Sequence, residues 1–265
     1  MNLFNILSEI EATEKDAVEK FTFSRRKMLK TTSVAAASSA FFFTATVNKA
    51  FSQSNSINDV LNFALLLEYL EAEFYSKALN SGMNFGNARG LFEEIAKHEA
   101  QHVAFLKSAL GGAAMAKPEF DFTAKGMYPD PFSNYTVFLT LSQAFEDTGV
   151  RAYKGQAPNL VSNRDILEAA LRIHSVEARH AGEIRIIRGL RPYASEMETG
   201  GVPAAVYAGE NNIYQDPHID LISLVSSKLI VQDGTQRNAE KYVREAFDEP
   251  LTKEQVMAIV SPFVK

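Results

Sequence analysis

Eight residues of this chain repeat as a set. Glu68, Tyr75, Glu99 and His102 recur as Glu146, Tyr153, Glu177 and His180, each separated from its mate by 78 positions. The shared pattern is Glu-x6-Tyr, a fixed gap, then Glu-x-x-His. One Glu-x-x-His arises readily by chance; four matched positions on one offset do not. The chain therefore carries a duplicated unit whose repeated residues share one task. Carboxylate and imidazole together suit divalent metals, and a carboxylate can bridge two ions through its two oxygens. The three-residue step in Glu-x-x-His sets both side chains on one face of a helix, so both reach one centre.

The elements that would carry these residues read as amphipathic helices. Ile166, Ala170, Ile173, Ile184 and Ile187 form an apolar stripe at steps of three and four, and Glu177 and His180 fall on it. Phe92, Ile95, Leu106 and Leu110 form a second stripe, interrupted by Glu99 and His102. Glu68 lies in line with Leu61, Leu65, Ala72, Tyr75 and Leu79, and Glu146 with Leu139 and Tyr153. An unpartnered carboxylate on a core face costs several kcal/mol, so four of them demand compensation. Buried ion pairs are one form of it, but no Lys or Arg recurs on these faces. Metal cations are the better answer. One Glu from each of two helices, with Glu-x-x-His from each of two others, matches the ligand set of di-iron and di-manganese carboxylate bundles, a match of pattern and not a derivation. The expected cofactor is two Fe or Mn ions.

Neighbouring residues carry weaker signals. Glu71 sits one turn from Glu68, but its mate is Gly149, so it reads as an alternate ligand or a partner of ligands. Tyr75 and Tyr153 lie two turns from Glu68 and Glu146, placed either to orient the ligand carboxylates or simply to pack. His98-Glu99-x-x-His102 spells the zinc-protease signature. The duplication argues against it, because the repeat keeps Glu177 and His180 while Val176 stands where the first His would be. His98 and His174 then belong beside the site or at the surface. Glu73, Glu93, Glu94, Asp147 and Glu168 read as solvated faces.

Composition bounds the rest. Of 265 residues 46% are hydrophobic, enough for a large core, and the net charge of −5 comes without a basic cluster beyond the N-terminal region, which argues against nucleic acid as a partner. There is no Cys, so disulfides, thiolate catalysis and zinc ribbons are excluded. Residues 1–52 read as an export signal: Ser24-Arg25-Arg26 with Leu29-Lys30, an uncharged run through Val47, and small residues near Ala50-Phe51-Ser52. The paired arginines resemble a twin-arginine signal, which makes the twin-arginine export machinery a partner and a periplasmic or secreted location the expectation. A basic surface helix or an uncleaved anchor is the alternative. The apolar run is too short and polar for a comfortable bilayer span, so no stable span is expected after cleavage. Removing 1–52 takes away seven basic and five acidic residues and leaves a charge near −7.

Residues 53–192 read as four helices: about Ser56–Leu79, Asn87–Leu110, Phe132–Gln156, and one from after Asn163 to near Gly189. The Pro- and Gly-rich stretch 111–131 is long enough to carry the chain the length of the bundle, so that the third helix starts parallel to the second. The fold class is thus all-α: a ferritin-like four-helix bundle with one long crossover. Residues 193–265 follow as a wrapping loop, a helical pattern over about Thr235–Phe247, and a short helix with a capping box at Thr252-Lys-Glu-Gln255.

The segments NFALLLEYLEAEFY, KHEAQHVAFLKSALGG, AKPEFDFT, SQAFEDTGVRAYKGQAP, IHSVEARHAGEIR and FDEPLTKEQVMAIV resemble the bacterial exported ferritin-like domain family, related to plant desiccation-related proteins. The resemblance spans nearly all of the chain beyond residue 52. It implies that Glu68 and Glu146 are terminal ligands, that His102 and His180 serve one metal each, and that Glu99 and Glu177 bridge. A pair of redox-active ions can hold O2 or peroxide between them, so the expected activity is an oxidoreductase acting on O2 or peroxide. A non-catalytic stress or desiccation protein stapled by metal is the alternative.

Overall fold

In the computed structural model, residues 56–194, 199–216, 219–220 and 243–265 are described. The expected export segment, and most of the helical pattern at 235–247, lie outside these residues. Asn55–Lys265 form one compact unit. Its frame is four long helices: α1, Ile57–Asn80; α2, Arg89–Leu110; α3, Tyr135–Gln156; and α4, Arg164–Ile187. Each boundary has a local cause. Ser56 and Asp59 form a capping box before α1. Asn134 accepts from the Thr136 and Val137 amides at the start of α3, and Asn163 accepts from the Ile166 amide at the start of α4. Such side-chain acceptors satisfy amides that have no partner inside the helix. Helix α2 stops at Gly111, whose φ of 54° favours glycine.

Short connections make α1/α2 and α3/α4 antiparallel pairs. Glu68 of α1 meets Tyr153 of α3, while Tyr75 meets Glu146, so residue numbers rise along one helix as they fall along the other. Helices α1 and α3 are therefore antiparallel, and α2 runs parallel to α3. The crossover must travel the length of the bundle, as the single-crossover reading requires. Phe120 and Phe122 are buried along it.

The C-terminal segment packs back onto this frame. Helix α5, Lys253–Val260, starts with the capping box that the sequence indicates, Thr252 with Gln255. The Phe263 ring lies edge-on to Phe145 at 5.0 Å, and Phe120 and Val264 form an isolated antiparallel bridge. At Gly155 of α3 a Cβ would collide with the Leu251 carbonyl, so glycine lets the two backbones touch. A minimal hairpin, β1 (Tyr214–Asp216) with β2 (Ile219–Asp220), is the other extended element among the described residues.

Candidate metal centre

The four helices each turn one chemical set inward. Glu68, Glu99, Glu146 and Glu177 are all 0% exposed, and His102 and His180 are buried with them. Their atoms fall into two overlapping groups. Oxygens and nitrogens of Glu68, Glu99, His102 and Glu177 lie within 4.8 Å of one another, and so do those of Glu99, Glu146, Glu177 and His180. Exchanging the two repeats turns one group into the other. Glu99 and Glu177 belong to both, so the pair of carboxylates between two positions is the pair that the resemblance assigns to bridging.

The histidines point the same ring atom inward. His102 Nδ1 is 3.1 Å from Glu68 Oε2, 3.1 Å from Glu99 Oε2 and 3.2 Å from Glu177 Oε1. His180 Nδ1 is 3.2 Å from Glu146 Oε2 and 2.9 Å from Glu99 Oε1. The two tyrosines cross between repeats: the Tyr75 hydroxyl donates to Glu146 Oε1 at 2.5 Å, and the Tyr153 hydroxyl donates to Glu68. They do hold carboxylates of the site, but each serves the glutamate of the other repeat.

Burial governs the charges here. It pushes Glu177 and Glu71 well above the ordinary carboxylate range, with repulsion from the other glutamates adding to it. Burial also lifts Glu68 to about 7, against the pull of His102. For Glu99 the two histidines outweigh burial and hold it down at about 2. The histidines would lose their proton on burial alone, yet Glu68 and Glu99 raise His102 to about 10, and Glu146 and Glu99 raise His180 to about 9. Both tyrosines are pushed well above 10 by burial and the adjacent carboxylate, so each hydroxyl keeps its proton and donates it.

Protons on two imidazoles do not complete this cluster. Both oxygens of Glu177 and Oε1 of Glu99 are buried without a hydrogen-bond partner; the nearby imidazole nitrogens lie close to them but out of line. Unsatisfied buried carboxylate oxygens are rare and costly. Cations at the two overlapping positions would meet these very oxygens, so the residues present fit a pair of metal ions.

Other predicted residues find their places. Glu71 is buried, and a Cβ at Gly149 would stand 3.4 Å from both Glu71 Oε1 and Glu177 Oε2. The carboxylate on one repeat therefore faces the position its mate leaves bare. His98 is half-buried outside both groups; its Nδ1 lies 3.0 Å from His180 Nε2, and the two rings stack. It supports His180 and does not form a zinc pair with His102. His174 Nδ1 bonds the Val150 carbonyl at 2.9 Å and ties α4 to α3. Glu93, Glu94 and Glu168 are exposed as expected, and Glu73 is partly covered by Lys77 and Lys117.

Asp147 corrects the sequence reading. It is not on a solvated face: it is 4% exposed and paired to Arg185 at 2.6 Å. Tyr207 donates to Asp147 at 2.6 Å, and Gln143 donates to the Tyr207 oxygen at 2.7 Å. One helical turn on, Arg151 donates to the carbonyls of Val206, Ala208 and Glu249 and pairs with Glu210 at 3.0 Å. This network fastens residues beyond α4 to the outer face of α3. One signal was available: Asp147, Arg151 and Arg185 have Tyr69, Glu73 and Lys107 as offset mates. The network breaks the duplication because only one repeat carries the extension.

The ferritin-like domain family matches residues 56–190, just over half of the 265-residue chain. The chain belongs to the ferritin-like domain family. The match ends within a few residues of α4, so the ferritin-like bundle is the matched part, and the clamped extension lies beyond it. No curated protein matches the chain.

Proposed function

We propose that this ferritin-like protein is an exported oxidoreductase with two iron or manganese ions, acting on O2 or peroxide. The observation that carries the reading is the pair of overlapping ligand groups sharing Glu99 and Glu177, three of whose four carboxylate oxygens are otherwise orphaned. Glu68 with His102, and Glu146 with His180, would complete one position each. Bound there, two redox-active ions supply the electrons for reducing dioxygen or peroxide. The protein holds the carboxylates in place: Tyr75 and Tyr153 fix Glu146 and Glu68 from outside, and His98 meets the outward nitrogen of His180. Oxygen and imidazole ligands favour iron or manganese over softer metals.

A second reading keeps the metal and omits turnover, as in a stress or desiccation protein stapled by its ions. The complete burial of four glutamates supports it, since metal would offset their repulsion whether or not a reaction follows. Elemental analysis of protein taken from its native compartment, followed by peroxide and O2 consumption of the loaded form, separates the two. Turnover that scales with metal content upholds the oxidoreductase. Two tightly held ions with no consumption of either oxidant favour the staple, and a chain that binds no transition metal overturns both.

Export by the twin-arginine route rests on Ser24-Arg25-Arg26 and Leu29-Lys30 ahead of the uncharged run. Replacing Arg25 and Arg26 together by Lys should strand the protein in the cytoplasm. Unchanged export would sink that assignment.

A further inference from the structure

The two ends of the centre are packed differently. At one end the Tyr75 ring is enclosed by Phe74, Phe92 and Phe138, with centroids 5.4, 6.2 and 6.1 Å away, and all three phenylalanines are fully buried. At the other end its mate Tyr153 borders an apolar cavity that leaves the centre of a water-sized molecule about 20 Å³. The 78-residue offset explains the contrast. Phe74 corresponds to Ala152, Phe92 to Ala170, and Phe138 to Val60, and all three smaller residues line the cavity. Other lining positions run the opposite way, Phe63 against Leu141, Gln156 against Ala78, Leu160 against Gly82 and Ile166 against Ala88, yet the hollow persists.

Interiors close-pack, and an internal void lowers stability. Three ring-to-stub differences around one tyrosine, whose twin is enclosed by rings, leave this space open. Its walls suit an apolar occupant. Tyr153 turns its hydroxyl away to Glu68, and Gln156 Oε1 accepts from Asn159 at 3.0 Å. Water there would find few of the two to four polar partners it needs, which favours an apolar guest. The centre of a water-sized molecule has about 20 Å³ in which to move there, room enough for a diatomic gas. Phe105 and Ile173 also border a solvent-facing hollow between α2 and α4 that reaches His102. Phe105 is 38% exposed, so it forms the outer wall.

We propose that this cavity is a binding site for a small apolar molecule, dioxygen, held beside the Tyr153–Glu68 pair at one end of the centre. The consequence for catalysis rests on the di-metal reading above; the binding itself does not. Xenon, an apolar probe of similar size, tests it by NMR on the full chain with and without metal. Saturable shifts of the 129Xe line and of the Leu106, Ala170 and Ile173 methyl signals are expected. Ala170→Phe, which installs the ring found at Phe92, should abolish them; Ala170→Leu serves if the larger side chain prevents folding. In the metal-loaded protein the same variants should raise the O2 concentration for half-maximal ferrous oxidation severalfold and leave the peroxide-driven rate unchanged.

Absence of xenon binding overturns the proposal, and so does a filled variant that uses O2 as well as the wild type. Xenon binding in a chain whose loaded centre consumes neither oxidant sinks the oxidoreductase reading instead, and upholds the cavity as a site for an apolar guest.

Discussion

Tyr75 lies in the first repeat and Glu146 in the second, and the Tyr75 hydroxyl donates to Glu146 Oε1 at 2.5 Å. The mirror bond joins Tyr153 to Glu68. These crossed bonds tie the two helix pairs together through the carboxylates of the centre, so the duplicated halves depend on each other for their ligand geometry.

The crossed bonds set the effect of removing a hydroxyl. Tyr75→Phe or Tyr153→Phe leaves a buried carboxylate oxygen without its donor, a loss of roughly 1–3 kcal/mol. Each variant should melt lower than the wild type and bind metal more weakly, and the double variant should lose more than either. Thermal unfolding with metal titration checks this; a Tyr75→Phe protein as stable as the wild type, with equal affinity, would show that the hydroxyl only packs.

Metal stoichiometry tests the two positions. His102→Ala and His180→Ala should each lower metal content toward one ion per chain or fewer. His98→Ala removes the group bonded to His180 Nε2, and outer partners of this kind are worth roughly tenfold or more in metal affinity. Its content should hold at saturating metal and fall at limiting metal. Mass spectrometry at both levels decides, and an emptied site in His98→Ala with a full one in His180→Ala would restore the protease reading.

The metal-free protein should gain stability as pH falls from about 10 to about 5. Glu68, Glu71 and Glu177 have raised folded values, so their contribution is present below the unfolded carboxylate pKa and fades as pH climbs through the folded one. His102 and His180, raised to about 10 and about 9, act in the same direction: their stabilisation is complete below the unfolded value near 6.5 and is lost at high pH. Glu99, lowered to about 2, opposes only at the acid end, where its contribution disappears as it takes up a proton. For Glu68 alone the swing is on the order of 3 kcal/mol. Denaturant midpoints from pH 9 to 4, with and without chelator, measure it; a metal-free chain no more stable at pH 5 than at pH 8 would contradict clustered, unpaired glutamates.

The clamp on the outer face of α3 makes a separate prediction. Asp147→Ala strands Arg185 in a buried position and removes the acceptor of Tyr207, so a loss of about 3–5 kcal/mol is expected. Protease cleavage and amide exchange should rise first around residues 199–210, while the spectrum of the bundle helices is retained. Uniform loosening of all four helices would mean that the clamp holds the bundle and not the extension.

Much of the site was legible without coordinates because duplication converts chemistry into arithmetic. Three of the four matched positions on one offset identified the six buried Glu and His, and helical periodicity turned them toward one core. Helix limits were legible to within two or three residues because their signals are local: Ser56, Asn134, Asn163 and the Thr252–Gln255 box each act on amides a few positions away. Tertiary structure decided everything that depends on which surfaces meet. The Tyr75–Glu146 and Tyr153–Glu68 pairing follows from the antiparallel packing of α1 and α3, across 71 and 85 residues of chain. Asp147 and Arg185 are buried because a segment from outside the repeat lies over them, which no periodicity within α3 encodes. The unequal packing at Tyr75 and Tyr153 was written in the sequence as Phe against Ala and Val. It became a cavity only when four helices brought Val60, Ala152 and Ala170 to one place, because empty space belongs to no single residue.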